Sequence, residues 1–490
     1  MTRPTLEAVR RSVDAGVARL LDAVLAEAER SDVAVHLVGG PVRDLLLGRP
    51  LRDIDLIVEP RDGSVVGADA LARAAAPPDA RVVSHDRFGT VRLATADASI
   101  DLATVRSESY ARPGALPSVA PGSLDDDLRR RDFTVNALAL PLSAAARRGR
   151  AGLIDPGTGR ADLADAVLRV FHARFFHDDP TRALRAARLA ARLSFRLARS
   201  ARSALRDAIG EGAFAAVSGD RLRREVERLF EDARLGLDPA VALRLLADWH
   251  VLRALEPGLA LPPAALPPLR RLGRAIAEPP IAGLRARPWV VGLALWLADL
   301  DATSRRRTLR RLAIRGEIAT RIAEFPKLRD RALRQLAATR GRGAVDALLA
   351  PLGDEALLAL YVSAPPAGRR RMLRWAAEDR GKRPPVTGAD LVAAGLSGPA
   401  VGVALSRIRI AWLDGALHTR EEALALAREV GARVARRTKQ RAARAGSAGA
   451  HDGPKRARKA ARSSLPAPEA SSILPPSSPP PNRALHPERQ

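Results

Sequence analysis

The stretch HLVGGPVRDLLLGRPLRDIDLIVEP, residues 36–60, constrains the fold more than any other part of the chain. An apolar run ends in two glycines and a proline, then passes into residues with helical spacing. That order predicts a strand, a glycine turn and a helix with Pro41 at its first position, where proline is tolerated and its φ is pre-set. A second apolar run follows and carries Asp53 and Asp55. Residues two apart in a strand share a face, so the two carboxylates stand side by side while Ile54 and Leu56 point into the core. Like charges held that close repel, and a bound cation relieves them. With no Cys in the chain and no His near the pair, the all-oxygen donor set predicts a hard cation, Mg2+. A solvated edge-strand pair is the competing account of an isolated D-x-D. The preceding turn weighs against it: at Gly39 and Gly40 the backbone approaches a phosphate unobstructed, helix-terminal N–H groups point toward it, and Arg43 adds a fork of donors.

A third carboxylate, Asp101, alternates with Ile100 and Leu102 in SIDLATV. If that strand lies beside the one carrying Asp53 and Asp55, three carboxylates suffice for two metals clamping an in-line phosphoryl displacement. VAVHLVGG, DIDLIVEP, RVVSHD, GTVRLAT and SIDLATV, between 33 and about 140, read as strands of a small α/β domain. From about 160 to 432 the chain is Ala/Leu/Arg-rich with apolar residues three and four apart, which reads as helices throughout, with joints expected at 255–269 and 363–370. From 436 on it is basic, then Pro/Ser-rich, with little to bury, and reads as disordered. Lys plus Arg number 81 against 55 Asp plus Glu, a net charge of +26. Only part of that excess sits in the last 55 residues, so the folded part is basic in its own right and a polyanionic partner is expected. No apolar run is long enough for a bilayer and no signal-peptide core is present, so a soluble, cytoplasmic protein is expected.

Taken together, GGPVRDLLLG with the following D-I-D, LRRRDFTVNALAL at 128–140 and HDDPTRALRAARLAARLSF at 177–195 resemble the bacterial class II CCA-adding and poly(A) polymerase family of nucleotidyltransferases. The likeness runs from about residue 33 to 235 in consistent order. It implies a multidomain α+β chain: an N-terminal helix (1–32), an α/β nucleotidyltransferase head with a small mixed sheet (33–145), a helical neck (146–235), an all-α body and tail (236–435) and the disordered end (436–490). It also implies Asp53 and Asp55 as metal ligands and Asp101 as third carboxylate. Gly39, Gly40, Arg43, Arg131, Asp132 and Asn136 would surround the incoming nucleotide. Asp179 and Arg182 would hydrogen-bond the base of CTP or ATP, with Arg185 and Arg188 near the triphosphate. Other accounts stay open: Asp179 before Pro180 is also a good helix cap, Arg131 and Asp132 also suit a local ion pair, and the arginine face is also a candidate for a solvated surface.

The activity implied is addition of C, C and A to the 3′ end of tRNA, with Mg2+ as cofactor. Alternatives are A-only or CC-only addition, then poly(A) synthesis, which the basic end of the chain favours. A non-catalytic RNA-binding protein fits the charge equally well. The segment 105–127 resembles the flexible element associated with switching from C to A. Aromatics are only 3% of residues, so recognition of the acceptor stem by shape and phosphate contacts is expected over base stacking. Oligomeric state is left open.

Overall fold

The computed structural model describes residues 4–51, 53–60, 66–85, 89–109, 118–148 and 152–450. The N-terminal segment is two helices where one was expected, α1 (Leu6–Arg11) and α2 (Ala15–Arg30). The Ser12 hydroxyl donates back to the Ala8 carbonyl and closes the first, and Asp14, in extended backbone, opens the second.

All five strands expected between 33 and 105 form: β1 (Ala34–Val38), β2 (Asp55–Glu59), β3 (Arg81–His85), β4 (Thr90–Ala94) and β5 (Ser99–Thr104). Between β1 and β2 runs α3 (Gly40–Leu46), and between β2 and β3 runs α4 (Ala68–Ala75). A hairpin of β6 (Arg106–Ser109) and β7 (Ser118–Pro121) leads to α5 (Leu124–Arg129), which is opened by a reciprocal Ser123–Asp126 capping box. Then β8 (Ala139–Pro141) returns to the main sheet. The six strands are ordered β3-β4-β5-β2-β1-β8, with β2 and β5 parallel and the other pairs antiparallel, so the sheet is mixed as expected.

Alternation splits this sheet into two faces. Leu56, Val58, Ile100 and Leu102 are buried in one core with Leu20, Leu21, Val24 and Leu71 of α2 and α4. Ile57 and Val38 pack on the opposite side with Leu124 and Leu128 of α5. Asp55 and Asp101 belong to that second face.

The chain continues in helices: α6 (Ala144–Arg147), α7 (Gly159–Ala164), α8 (Phe175–Asp178), α9 (Arg182–Leu193), α10 (Arg199–Gly210) and α11 (Gly219–Glu231). A two-stranded parallel pair, β9 (Val167–Leu168) with β10 (Arg196–Leu197), ties the segment after α7 to the segment after α9. Helices between residues 236 and 382 pack directly onto this stretch. A Cβ at Gly292, in the helix Pro288–Leu297, would fall 2.2 Å from the Phe230 ring, so only glycine lets that helix seat against α11. The joint expected at 255–269 therefore separates helices and not compact units. Residues 1–382 form one unit, and the expected 236–435 segment divides at 382/383. The second unit contains the helices Gly388–Ala393, Pro399–Leu413 and Arg420–Ala450, with Ile408, Ala404, Ala423 and Ala427 in its own core. Its last helix runs to Ala450, past the expected start of disorder at 436, since Ala and Arg are strong helix formers even without burial. Residues 451–490 lie outside the described residues. No helix among the described residues is long and apolar enough to cross a membrane.

Candidate active site

Parallel pairing sets Asp55 of β2 directly against Asp101 of β5, the adjacency on which the third carboxylate depended. On the other side of β5, antiparallel β4 sets Arg92 against the same Asp101. These side chains emerge into a cleft of about 580 Å³, also lined by Arg106, Arg130, Arg131 and Val83, a size suited to a small-molecule ligand. Asp53 lies two residues before β2, exposed and outside the ladder where it was expected. Burial pushes the Asp55 carboxyl up to about 6; Arg131 and Arg92 oppose the shift, while the charges of Asp101 and Asp53 reinforce it. A carboxylate that resists ionisation because it is buried, with two others nearby, is relieved by a divalent cation. Asp53 and Asp55 offer oxygen donors only, a set that fits such a hard cation.

Asp101 differs. Both its oxygens accept from Arg92, Oδ1 from Nε at 2.8 Å and Oδ2 from Nη2 at 2.7 Å. Among the described residues no group of three or more His, Cys, Asp or Glu side chains is gathered as a metal site. The three-carboxylate cluster is thus a pair with a neighbour turned to an arginine, because a guanidinium fork on the adjacent strand matches a carboxylate bidentately.

Gly39 sits at φ 76° and ψ −133°, a region closed to side chains. Its N–H donates to the Leu138 carbonyl at 3.1 Å, and a Cβ there would lie 2.9 Å from Arg131 Nη1. Gly39 therefore keeps room for Arg131 above the turn, and Gly40 opens α3. Arg43 does not face the cleft as expected. It is 4% exposed, donates Nε and Nη2 to Asp44, each at 2.9 Å, and donates Nη1 to Asn136 Oδ1 at 2.5 Å. Burial holds its pKa below the usual arginine value, with Asp44 opposing. Asn136 in turn donates to Asp132 Oδ1 at 2.9 Å. Arg131 pairs with the fully buried Asp127, Nη2 to Oδ2 at 3.0 Å, and not with its neighbour Asp132. Asp127 also holds Arg130, which reaches Glu108 of β6 at 2.8 Å. The segment 110–117, within the expected flexible element, lies outside the described residues.

On α9 the arginine face is not a solvated stripe. Arg188 donates to Asp232 at 2.9 and 3.0 Å, and Arg192 donates to Asp44 at 3.2 Å. Arg185 lies 3.8 Å from Asp132 and 3.9 Å from Asp179, linking the helix to the head. Asp179 is buried. Its Oδ1 accepts from the Thr181 N–H at 3.0 Å and the Thr181 hydroxyl at 2.6 Å, the local cap that was the competing account, and Arg221 of α11 lies 2.9 Å away. Arg182, also buried, stacks 4.2 Å over the Phe175 ring and donates to the Phe175 carbonyl at 3.2 Å. None of these five lines the cleft of Asp55. Sequence reading missed Asp44, Arg92, Asp127 and Arg221, the counter-charges that fix the expected residues. Strand alternation in TVRLA marks Arg92 for the face opposite Val91 and Leu93, but its partner required the strand order.

The Poly A polymerase head domain family matches residues 35–169. The CC-adding tRNA nucleotidyltransferase of Deinococcus radiodurans is 34% identical over 395 residues, covering 80% of this chain and 88% of that protein. The chain belongs to the tRNA nucleotidyltransferase family. The A-adding tRNA nucleotidyltransferase of Geobacter sulfurreducens is 32% identical over 409 residues, 81% of this chain, which spans only 45% of that relative's length. Among solved structures, the Thermotoga maritima CCA-adding enzyme complexed with tRNA superposes with a TM-score of 0.66 at 27% identity, covering 89% of this chain and all of that one. Head and helical remainder thus match members of one family that carry three different addition specificities.

Proposed function

We propose that the protein adds C, C and A, from CTP and ATP, to the 3′ end of tRNA without a nucleic-acid template. The observation that carries this reading is the pairing of Asp55 with Asp101 on a cleft that also presents Arg92, Arg106, Arg130 and Arg131. Carboxylates for a cation and arginines for a triphosphate share one site. The primer 3′-oxygen attacks the α-phosphorus of the nucleotide, the bond to the β-phosphate oxygen breaks and pyrophosphate leaves. Asp53 and Asp55 would hold Mg2+, which when bound would supply charge stabilisation at the reacting phosphate. Arg131, kept in place by Asp127 and the bare Gly39 turn, faces the phosphates, and Arg43 acts by bracing α3 against Asn136. Asp179 and Arg182 read the base by exchanging their present partners, Thr181, Arg221 and Phe175, for its edge. On the helix Ala302–Arg311 of the same unit, Arg306, Arg307 and Arg310 are exposed and pair with no carboxylate among the described residues, which suits a path for the RNA backbone.

A-only or CC-only addition is the second reading, favoured by the names of the two relatives above. The test is incorporation with Mg2+ on tRNA lacking CCA, tRNA ending in CC and an unstructured RNA, given CTP, ATP or both and resolved at single-nucleotide length. Three residues added to the first primer support CCA addition. Growth only on the CC-ending primer assigns A addition, and arrest after two C residues assigns CC addition. Long ATP-dependent tails on unstructured RNA assign poly(A) synthesis. Binding of tRNA with no incorporation overturns the enzymatic reading.

A further inference from the structure

Among the arginines that line the cleft of Asp55 and Asp101, Arg92 is the one set directly across the ladder from a carboxylate. Cross-strand register fixes it opposite Asp101. Its fork saturates the two inner lone-pair directions of that carboxylate at 2.8 and 2.7 Å, and its charge is also felt by Asp53 and Asp55. The pair is half open to solvent, with side-chain exposures of 56% and 42%, so the contact is weak enough to exchange. Nothing packs the Arg92 side chain into a core, and its removal leaves no cavity.

We propose that Arg92 is a built-in counter-ion that occupies Asp101 when no metal is bound and competes with the divalent cation for it, so that cation binding swings the guanidinium off Asp101 toward the cleft. This rests on the metal reading of Asp53 and Asp55. It makes Arg92 a positioning residue: it holds the nucleotide-free site together against its own carboxylate repulsion, and it sets how tightly the cation is taken before the nucleotide arrives. Once released, the fork remains on the wall of the same cleft as Arg106, Arg130 and Arg131, where an anionic ligand has use for it.

The test is Mn2+ binding to the full chain without nucleotide or RNA, read from the electron paramagnetic resonance signal of free Mn2+, for the wild type, Arg92→Met and Arg92→Gln. Arg129→Met serves as control, removing an equal charge from an exposed pair with Asp125 elsewhere in the head. The expected result is cation affinity raised about fivefold in both Arg92 variants, the scale of one exposed ion pair, and unchanged in the control. In an Asp101→Asn background the Arg92 effect is expected to vanish. Affinity unchanged or weakened in both Arg92 variants, or raised equally by Arg129→Met, overturns the proposal and leaves the metal reading standing. Absence in the wild type of any Mn2+ site that Asp55→Asn removes overturns both. A merely structural role for Arg92 predicts weaker binding, the opposite sign.

Discussion

Asp55 and Asp179 are both acidic residues of the first unit singled out for chemistry, yet the fold treats them in opposite ways. Asp55 is half-buried on a strand with two other carboxylates for neighbours, and its proton affinity rises accordingly. Asp179 is more deeply buried but fully provided for, with two donors from Thr181 and the cation of Arg221. Burial alone therefore does not make a carboxylate reactive. What differs is whether the fold supplies the counter-charge or leaves it to a ligand. At Asp55 the nearby arginines offset it only in part and a ligand completes it, which is where catalysis by a cation belongs; at Asp179 it is supplied, so a ligand reaches that carboxylate only by displacing a partner.

The sharpest break of this contrast is in activity. Asp55→Asn is expected to lower nucleotide incorporation about a thousandfold or more with tRNA binding retained, measured by single-turnover extension beside a filter-binding titration. Next in size, Arg221→Ala strips the counter-charge from buried Asp179 and is expected to cost about 2 kcal/mol in urea unfolding; restored stability in Asp179→Asn combined with Arg221→Ala would confirm that the pair is responsible. Gly39→Ala forces a side chain into a positive-φ position against Arg131, with an expected loss of about 1–2 kcal/mol and slower incorporation; a neutral result would show that the turn relaxes freely. A further effect is in pH. Because the Asp55 pKa is raised from 3.8 to about 6, the folded state holds the proton more tightly than the unfolded chain. That contribution to stability is complete below pH 3.8 and is lost as pH rises through about 6. Metal-free wild type is expected to lose stability over this window relative to Asp55→Asn, in melts run from pH 4 to 7.5.

Strand alternation made the head legible: five strands fell where apolar runs lay between turns, and the turn 39–41 and the facing of Ile54 and Leu56 followed from period and glycine alone. The same alternation marked Asp101, and the likeness to a known family reached further, to α9, though not to the partners of each residue. Arg43 faces Asp44 and Asn136, 93 residues on, and Arg188 faces Asp232. Local periodicity carries no information on such distant counter-charges. The same limit applies to Arg92, whose role depends on which strand lies next to β5. The joint at 255–269 falls within one compact unit, since prolines mark where helices end and say nothing of how they pack.

The most direct test of the contrast is the melting temperature of wild type and Asp55→Asn at pH 7.5, each with and without Mg2+. The account predicts that Asp55→Asn melts above the metal-free wild type, that Mg2+ raises the wild type, and that it leaves the variant unmoved. An equal Mg2+ shift in both proteins, or a variant that melts below the metal-free wild type, would contradict the claim that Asp55 is a charge the fold leaves for a cation to satisfy.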